Sequence, residues 1–300
     1  MMDSELPGTL SVDNFEMRFA DIASIELSQL QALSISVEWP HRAADWQYLL
    51  DIGKGYVARD EIGRIGASAM WFPHGEGFAT FGMLITLPRL QANGTAKWLM
   101  NRIMADCGHD CIRLNSTREA RRLYASLGFL PKGKVYQCQG TVMAAMELPP
   151  LGKDLVLRRL DRADLDAVVA LDAPAFGAAR RLHLARLFDS SICYGLYQGQ
   201  QLRAFSMLRR FGRGHVVGPV VAARDEDAIR VTQPHVAAHV GRFLRIDTHF
   251  ETGAFAAFVQ QCGLGVYNTV RTMVTREDAS YGTGQDGEAV VYALASQSLG

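Results

Sequence analysis

Short apolar runs bounded by turn residues dominate the chain. The run over 78–87 reads as a buried strand and the pattern from Lys97 to Asp106 as a helix, with Gln91-Ala92-Asn93-Gly94-Thr95-Ala96 between them. Farther on, Arg113-Leu114-Asn115 predicts another strand, followed by a short helix through Ala120, Leu123 and Tyr124 that ends at Leu127-Gly128-Phe129. Asp60-Glu61-Ile62-Gly63 and Pro73-His74-Gly75-Glu76-Gly77 supply the turns between the strands that precede them.

The pattern recurs. Phe15-Glu16-Met17-Arg18, followed by helical periodicity from Asp21, matches Leu155-Val156-Leu157-Arg158, followed by the same from Asp161. Gly82-Met83-Leu84-Ile85 parallels Gly218-Pro219-Val220-Val221, Arg113-Leu114-Asn115 parallels Arg245-Ile246-Asp247, and Leu127-Gly128-Phe129 parallels Cys262-Gly263-Leu264. Two copies of one α+β (mixed α/β) fold follow, each a central mostly antiparallel sheet flanked by helices. The Pro149-Pro150-Leu151-Gly152 segment has boundary composition, which predicts a loose tail over 1–14, a first domain over 15–148 and a second over 149–300.

Length agrees, since 300 residues exceed one ordinary domain and each half is long enough to bury a core. Lys+Arg and Asp+Glu both number 31, so no net positive field exists to hold nucleic acid or an anionic membrane. No run reads as a secretory leader or a membrane span, and five cysteines form no paired framework; the expectation is a cytoplasmic protein acting on a small molecule, as a monomer or homodimer. Asn93-Gly94-Thr95 matches a glycosylation acceptor, which has no meaning without a secretory route.

The chemistry concentrates at residues 91–97. A helix start leaves its first N–H groups unpaired, and Gly94 with the small Ala92 and Ala96 lets a ligand approach them, so this corner suits an anion. Gln91-x-x-Gly94-x-Ala96 resembles the acetyl-CoA pyrophosphate loop of GNAT-type N-acetyltransferases, with Pro88 in its customary place before it. Leu123-Tyr124-x-x-x-Gly128-Phe129 is similar to a second segment of that superfamily, and the whole chain from residue 15 resembles tandem-GNAT proteins with a diverged C-terminal half. Thr117 stands where many members carry Asn, and Gln91 where most carry Arg.

The resemblance implies acetyl transfer from acetyl-CoA to a primary amine of a small molecule by direct attack. Gln91, Ala92, Asn93, Gly94, Thr95, Ala96 and Lys97 would hold the pyrophosphate, with Arg102 a further candidate charge. Leu84, Ile85 and Thr86 would pair with the pantetheine arm as an added strand would, and one of their amides would steady charge on the carbonyl oxygen. Tyr124 would protonate the departing sulfur, a phenol near pKa 10 facing a thiol near 8.5. For the base, His41, His74, Glu38 and Glu76 are equal candidates beside a water chain. In the second half, Asp227, Arg230 and Thr232 match Gln91, Gly94 and Ala96, and Val259 matches Tyr124, so that half reads as degenerate and the first as the working one. The alternative is a non-catalytic acyl-CoA sensor or assembly module. If the second half only helps to bind the amine, residues 1–150 alone would keep coenzyme affinity and lose turnover.

Other motifs carry less. Gly282-x-Gly284-x-x-Gly287 has no leading strand and reads as a hairpin loop; Cys107, His109 and Cys111 lack a distant fourth ligand, so no metal is expected. His235 and His239 share a helix face and read as structural.

Overall fold

A computed structural model describes residues 8–12, 15–276 and 288–300. The Gly282 to Gly287 motif lies outside the described residues. Internal contacts divide the chain into two compact units, Met1–Ile112 and Arg113–Gly300.

In the first unit, strands β1 (Thr9–Val12), β2 (Phe15–Asp21), β3 (Lys54–Arg59), β4 (Ile65–His74) and β5 (Phe78–Thr86) form consecutive antiparallel pairs. Helices α1 (Leu27–Ile35) and α2 (Ala43–Ile52) pack on each other between β2 and β3 in sequence, and α3 (Thr95–Cys107) packs on β3, β4 and β5. The buried positions of α3 are Thr95, Trp98, Leu99, Met100, Ile103 and Cys107, the spacing of one apolar face. The N-terminal segment departs from the loose tail expected over 1–14: Thr9 to Val12 pair with Arg18 to Phe15, and Val12 is buried. Alternation of Leu10 and Val12 with polar neighbours is too short a signal to separate from a tail.

The second unit contains β6 (Cys111–Ser116), α4 (Arg121–Ser126), β7 (Leu130–Thr141), β8 (Leu155–Leu160), α5 (Leu165–Phe176), α6 (Arg181–Ser190), β9 (Ser191–Gln198), β10 (Gln201–Phe211), β11 (Gly214–Ala222), α7 (Asp225–Ala237), β12 (Phe243–Thr248), α8 (Ala254–Gln261), β13 (Gly265–Val274) and β14 (Val290–Ala293). Its strands run in the order β6-β13-β7-β12-β11-β10-β9-β8, with β14 on β11. Among the described pairings of this unit, the one between named strands that runs parallel is β11 with β12. The mixed α/β, mostly antiparallel architecture predicted by the repeat is present.

The unit boundary falls at 112/113, where the sequence suggested 148/149. The reason is an exchange of strands. β13, from the second repeat, lies between β6 and β7 of the first, while β7 lies between β13 and β12 of the second. A Pro/Gly segment marks the covalent junction, but hydrogen bonds across the sheet decide which strands belong together.

Candidate active site

The proposed coenzyme edge starts with a bulge. Met70 pairs with Gly82 and Ser68 with Ile85, so Ala69 faces two residues, Met83 and Leu84, and Met83 takes φ 52°. A non-glycine residue in the left-handed region costs on the order of 1–3 kcal/mol and persists where its surroundings hold it. Here the buried Ser68 hydroxyl donates to the Met83 carbonyl at 2.7 Å. The bulge re-aims Leu84, Ile85 and Thr86. Ile85 is buried, Leu84 and Thr86 are half-buried, and the buried Thr86 Oγ1 has no partner among the described residues.

Beyond Thr86 a single 3₁₀ turn over Pro88–Leu90 leads into residues 91–94. Gln91 Nε2 donates to the Thr86 carbonyl at 3.3 Å, so its side chain ties the loop to the end of β5. Ala92 has φ 67° and Gly94, the N-cap of α3, has φ 81°. Left-handed turns of this kind can aim main-chain N–H groups toward one concavity. No nitrogen of residues 92–97 donates to a main-chain carbonyl among the described residues, and the first such bond is Trp98 N to Gly94 O at 2.9 Å. A Cβ on Gly94 would meet nothing within 4 Å, so the space above the cradle is open. Thr95 is 1% exposed, yet its Oγ1 has no partner among the described residues. Asn93 and Lys97 are exposed, and Ala96 is half-buried. An open cradle of N–H groups with a buried spare hydroxyl fits a phosphate ester.

Several candidates do not join it. Arg102 bonds Asp106 Oδ2 at 2.8 Å and lies over the Phe19 and Tyr56 rings, so its charge is already used. His74 is buried against Thr80 Oγ1 at 2.9 Å, and Glu76 sits in the β4–β5 turn. Both lie at the turn that precedes β5, where His74 pairs with Phe78, roughly 17–20 Å of extended strand from the bulge at Met83, too far to serve as base there. His41 packs between the Trp39 and Trp46 rings. Glu38 is exposed with φ 62°.

Tyr124 belongs to the second unit, on α4. It is 7% exposed, packs edge-on against Phe129 at 5.8 Å, and its phenol has no hydrogen-bond partner among the described residues. Burial pushes its pKa above the ordinary value, so it is a neutral donor throughout the physiological range. Four of the five cysteines are poor nucleophiles, since burial pushes Cys107, Cys138 and Cys262 up to about 11 and Cys193 to about 12; the fifth, Cys111, is half-buried. No cluster of three or more metal-ligating side chains occurs among the described residues.

The second repeat carries the same framework with different contents. Phe129 N bonds Tyr124 O, and Leu264 N bonds Val259 O, which confirms Val259 as the counterpart of Tyr124. At the bulge, Ser206 pairs with Val220 as Ser68 does with Ile85, so Met83 corresponds to Gly218, one residue away from the match the sequence suggested. The helix entrance also needs correction. α7 begins at Asp225, so Gly94 corresponds to Arg224 rather than Arg230, and residues 222–224 replace the whole of residues 87–94. The cradle is absent there, and Asp225, Glu226 and Asp227 fill the first helical turn. Insertions shift register in a way that gap-free comparison misses.

Two copies of a bulged strand leading into a helix, joined in one chain, define a tandem α/β protein. Models of the acetyltransferase (GNAT) domain match residues 51–131 and 168–285, one in each repeat, and the chain belongs to the GNAT superfamily as a tandem protein. No curated protein sequence matches it. Among solved structures it is similar to a protein from Pyrococcus horikoshii assigned as an acetyltransferase, with 14% identity, TM-score 0.76, and 97% of this chain and 98% of that one covered. The tandem GNAT protein of the clavulanic acid biosynthesis pathway is 12% identical with TM-score 0.63, over 86% and 98% of the two chains. A GCN5-related N-acetyltransferase from Sphaerobacter thermophilus is 14% identical with TM-score 0.55, over 85% and 95%. These likenesses concern the fold.

Proposed function

We propose that the first repeat is an acetyl-CoA-dependent N-acetyltransferase for a primary amine of a small molecule, the second repeat being catalytically silent. The observation that carries this is the open cradle of N–H groups at residues 92–97, which the second repeat lacks. Acetyl-CoA, when bound, supplies an activated thioester. The chain's part is to hold and orient it: main-chain N–H groups from Ala92 to Lys97, Thr95 Oγ1 and the Lys97 ammonium take the pyrophosphate, and residues 84–86 offer a strand edge to the amide-bearing arm. Tyr124 donates a hydrogen bond to the departing sulfur. Its raised pKa makes full proton transfer uphill, so its contribution belongs at the low end of general-acid effects, about 10²-fold. Attack is direct, because an amine needs no protein nucleophile to displace a thiolate and burial keeps Cys107, Cys138, Cys193 and Cys262 in the thiol form.

Following thiol release from acetyl-CoA against a panel of amino acids, polyamines and amino sugars tests this. The expected outcome is amine-dependent release with at least one class of acceptor. Tight coenzyme binding without release across the panel would instead establish the sensor.

A further inference from the structure

The second repeat contains a slot that is already filled. β11 pairs with β12 over His215 to Val217 with Leu244 to Ile246, and beyond the bulge it turns to β14: Val220 pairs with Ala293, Val221 with Val291 and Ala222 with Val290. On the other side, Leu294 N donates to Asp247 O at 2.8 Å at the end of β12. β14 with Leu294 therefore bridges two strands where they diverge. Val291, Tyr292, Ala293, Leu294 and Ala295 are all buried.

The edge it occupies is the counterpart of Leu84, Ile85 and Thr86. The bulge register makes those residues equivalent to Pro219, Val220 and Val221. The approach is close: a Cβ on Gly218 would lie 1.8 Å from the Leu294 carbonyl oxygen. The helix entrance is filled as well, since Asp225 accepts from Tyr292 Oη at 2.8 Å and from Phe255 N at 3.0 Å. Farther along, Arg209 donates to Ala295 O at 2.9 Å, Asn115 to Gln297 O at 2.8 Å, and the buried Arg180 to Gly300 O at 3.1 Å. This segment is fixed by buried charged and amide donors, unlike a casually packed tail.

We propose that residues 290–294 are an internal stand-in for the pantetheine arm, with Asp225 supplying the anion at the helix entrance, so that the second repeat is permanently closed by the chain's own peptide. This rests on the assignment of residues 84–86 as the coenzyme edge of the first repeat. It explains how a repeat without a cradle keeps the diverging strands filled, and it predicts one coenzyme per chain.

Hydrogen exchange of the intact protein, with and without saturating acetyl-CoA, tests it. The expected result is slow exchange at 220–222 and 290–294 in both states, with coenzyme slowing 84–86 and 92–97 by more than about tenfold. Gly218→Ala, which places a methyl on the Leu294 carbonyl, should release protection at 290–294 while the coenzyme effect at 84–97 survives. Fast exchange at 290–294 in the free wild-type protein, its release by acetyl-CoA, or a second bound coenzyme protecting 220–222 would overturn the stand-in. Absence of any coenzyme effect at 84–97 with 290–294 still slow would overturn the first-repeat assignment, and the equivalence with it.

Discussion

In the proposed reaction Tyr124 is the one side chain assigned a proton-donating role, and burial sets how it can act. A phenol held neutral and without a partner donates but does not ionise, so Tyr124→Phe should lower kcat about 10²-fold while leaving the KM for coenzyme within about twofold. An unchanged kcat in steady-state assays would remove Tyr124 from the mechanism. His235 shows the opposite consequence of burial. Its Nε2 meets Ser206 Oγ at 3.0 Å, its ring lies edge-on to Tyr194, and burial, aided by His239 and opposed by the Ser206 contact, pushes its pKa down to about 3. The folded state then holds the ring neutral while the unfolded chain protonates it below its ordinary pKa of 6.5. Its stabilisation is complete above pH 6.5 and is lost as the pH falls toward 3, at about 1.4 kcal/mol per unit. Urea melts between pH 4 and pH 7 should show this slope, with His235→Gln flatter by one proton; an identical slope in the variant would contradict it.

The decisive element is the bulged end of β5. Ser68 holds the strained Met83 carbonyl, so Ser68→Ala should cost about 1–3 kcal/mol of stability by leaving a buried acceptor unpaired. The same variant should weaken coenzyme binding several-fold in calorimetry; full retention of affinity would separate the bulge from the site. Much of this element was legible in the sequence. The apolar run over 78–87, Gly94 at the helix start and the Gly128 ending all lie where the periodicity puts them, because each depends on local backbone preference. The bulge was not legible, since Ser68 in an apolar strand gives no hint of which carbonyl it meets. Nor was the role of Gln91, whose amide braces Thr86, or the engagement of Arg102 by Asp106. Side-chain partners are set by tertiary approach, which spacing does not encode.

At the scale of the molecule, the exchange of β7 and β13 changes what a half of this chain is. Without β12 and β13, β7 has no strand on either edge in the second unit, so a chain ending at residue 148 lacks the pairing its own repeat requires. Such a chain should aggregate or lack cooperative unfolding by circular dichroism, rather than retain coenzyme affinity as expected for residues 1–150 if the second half serves to bind the amine; a monomeric, cooperatively melting fragment would contradict this. The repeat was visible in sequence because its strands recur in order, whereas the exchange leaves no trace in order or spacing. The central claim remains the cradle at residues 92–97. Titration calorimetry of acetyl-CoA against the wild-type chain and Gly94→Phe tests it most directly, because a bulky side chain at φ 81° both strains the turn and fills the open space above it. One bound coenzyme per wild-type chain and loss of at least about 100-fold in affinity in the variant, equivalent to about 2.7 kcal/mol, is the predicted result. Equal affinity in the two proteins would contradict it.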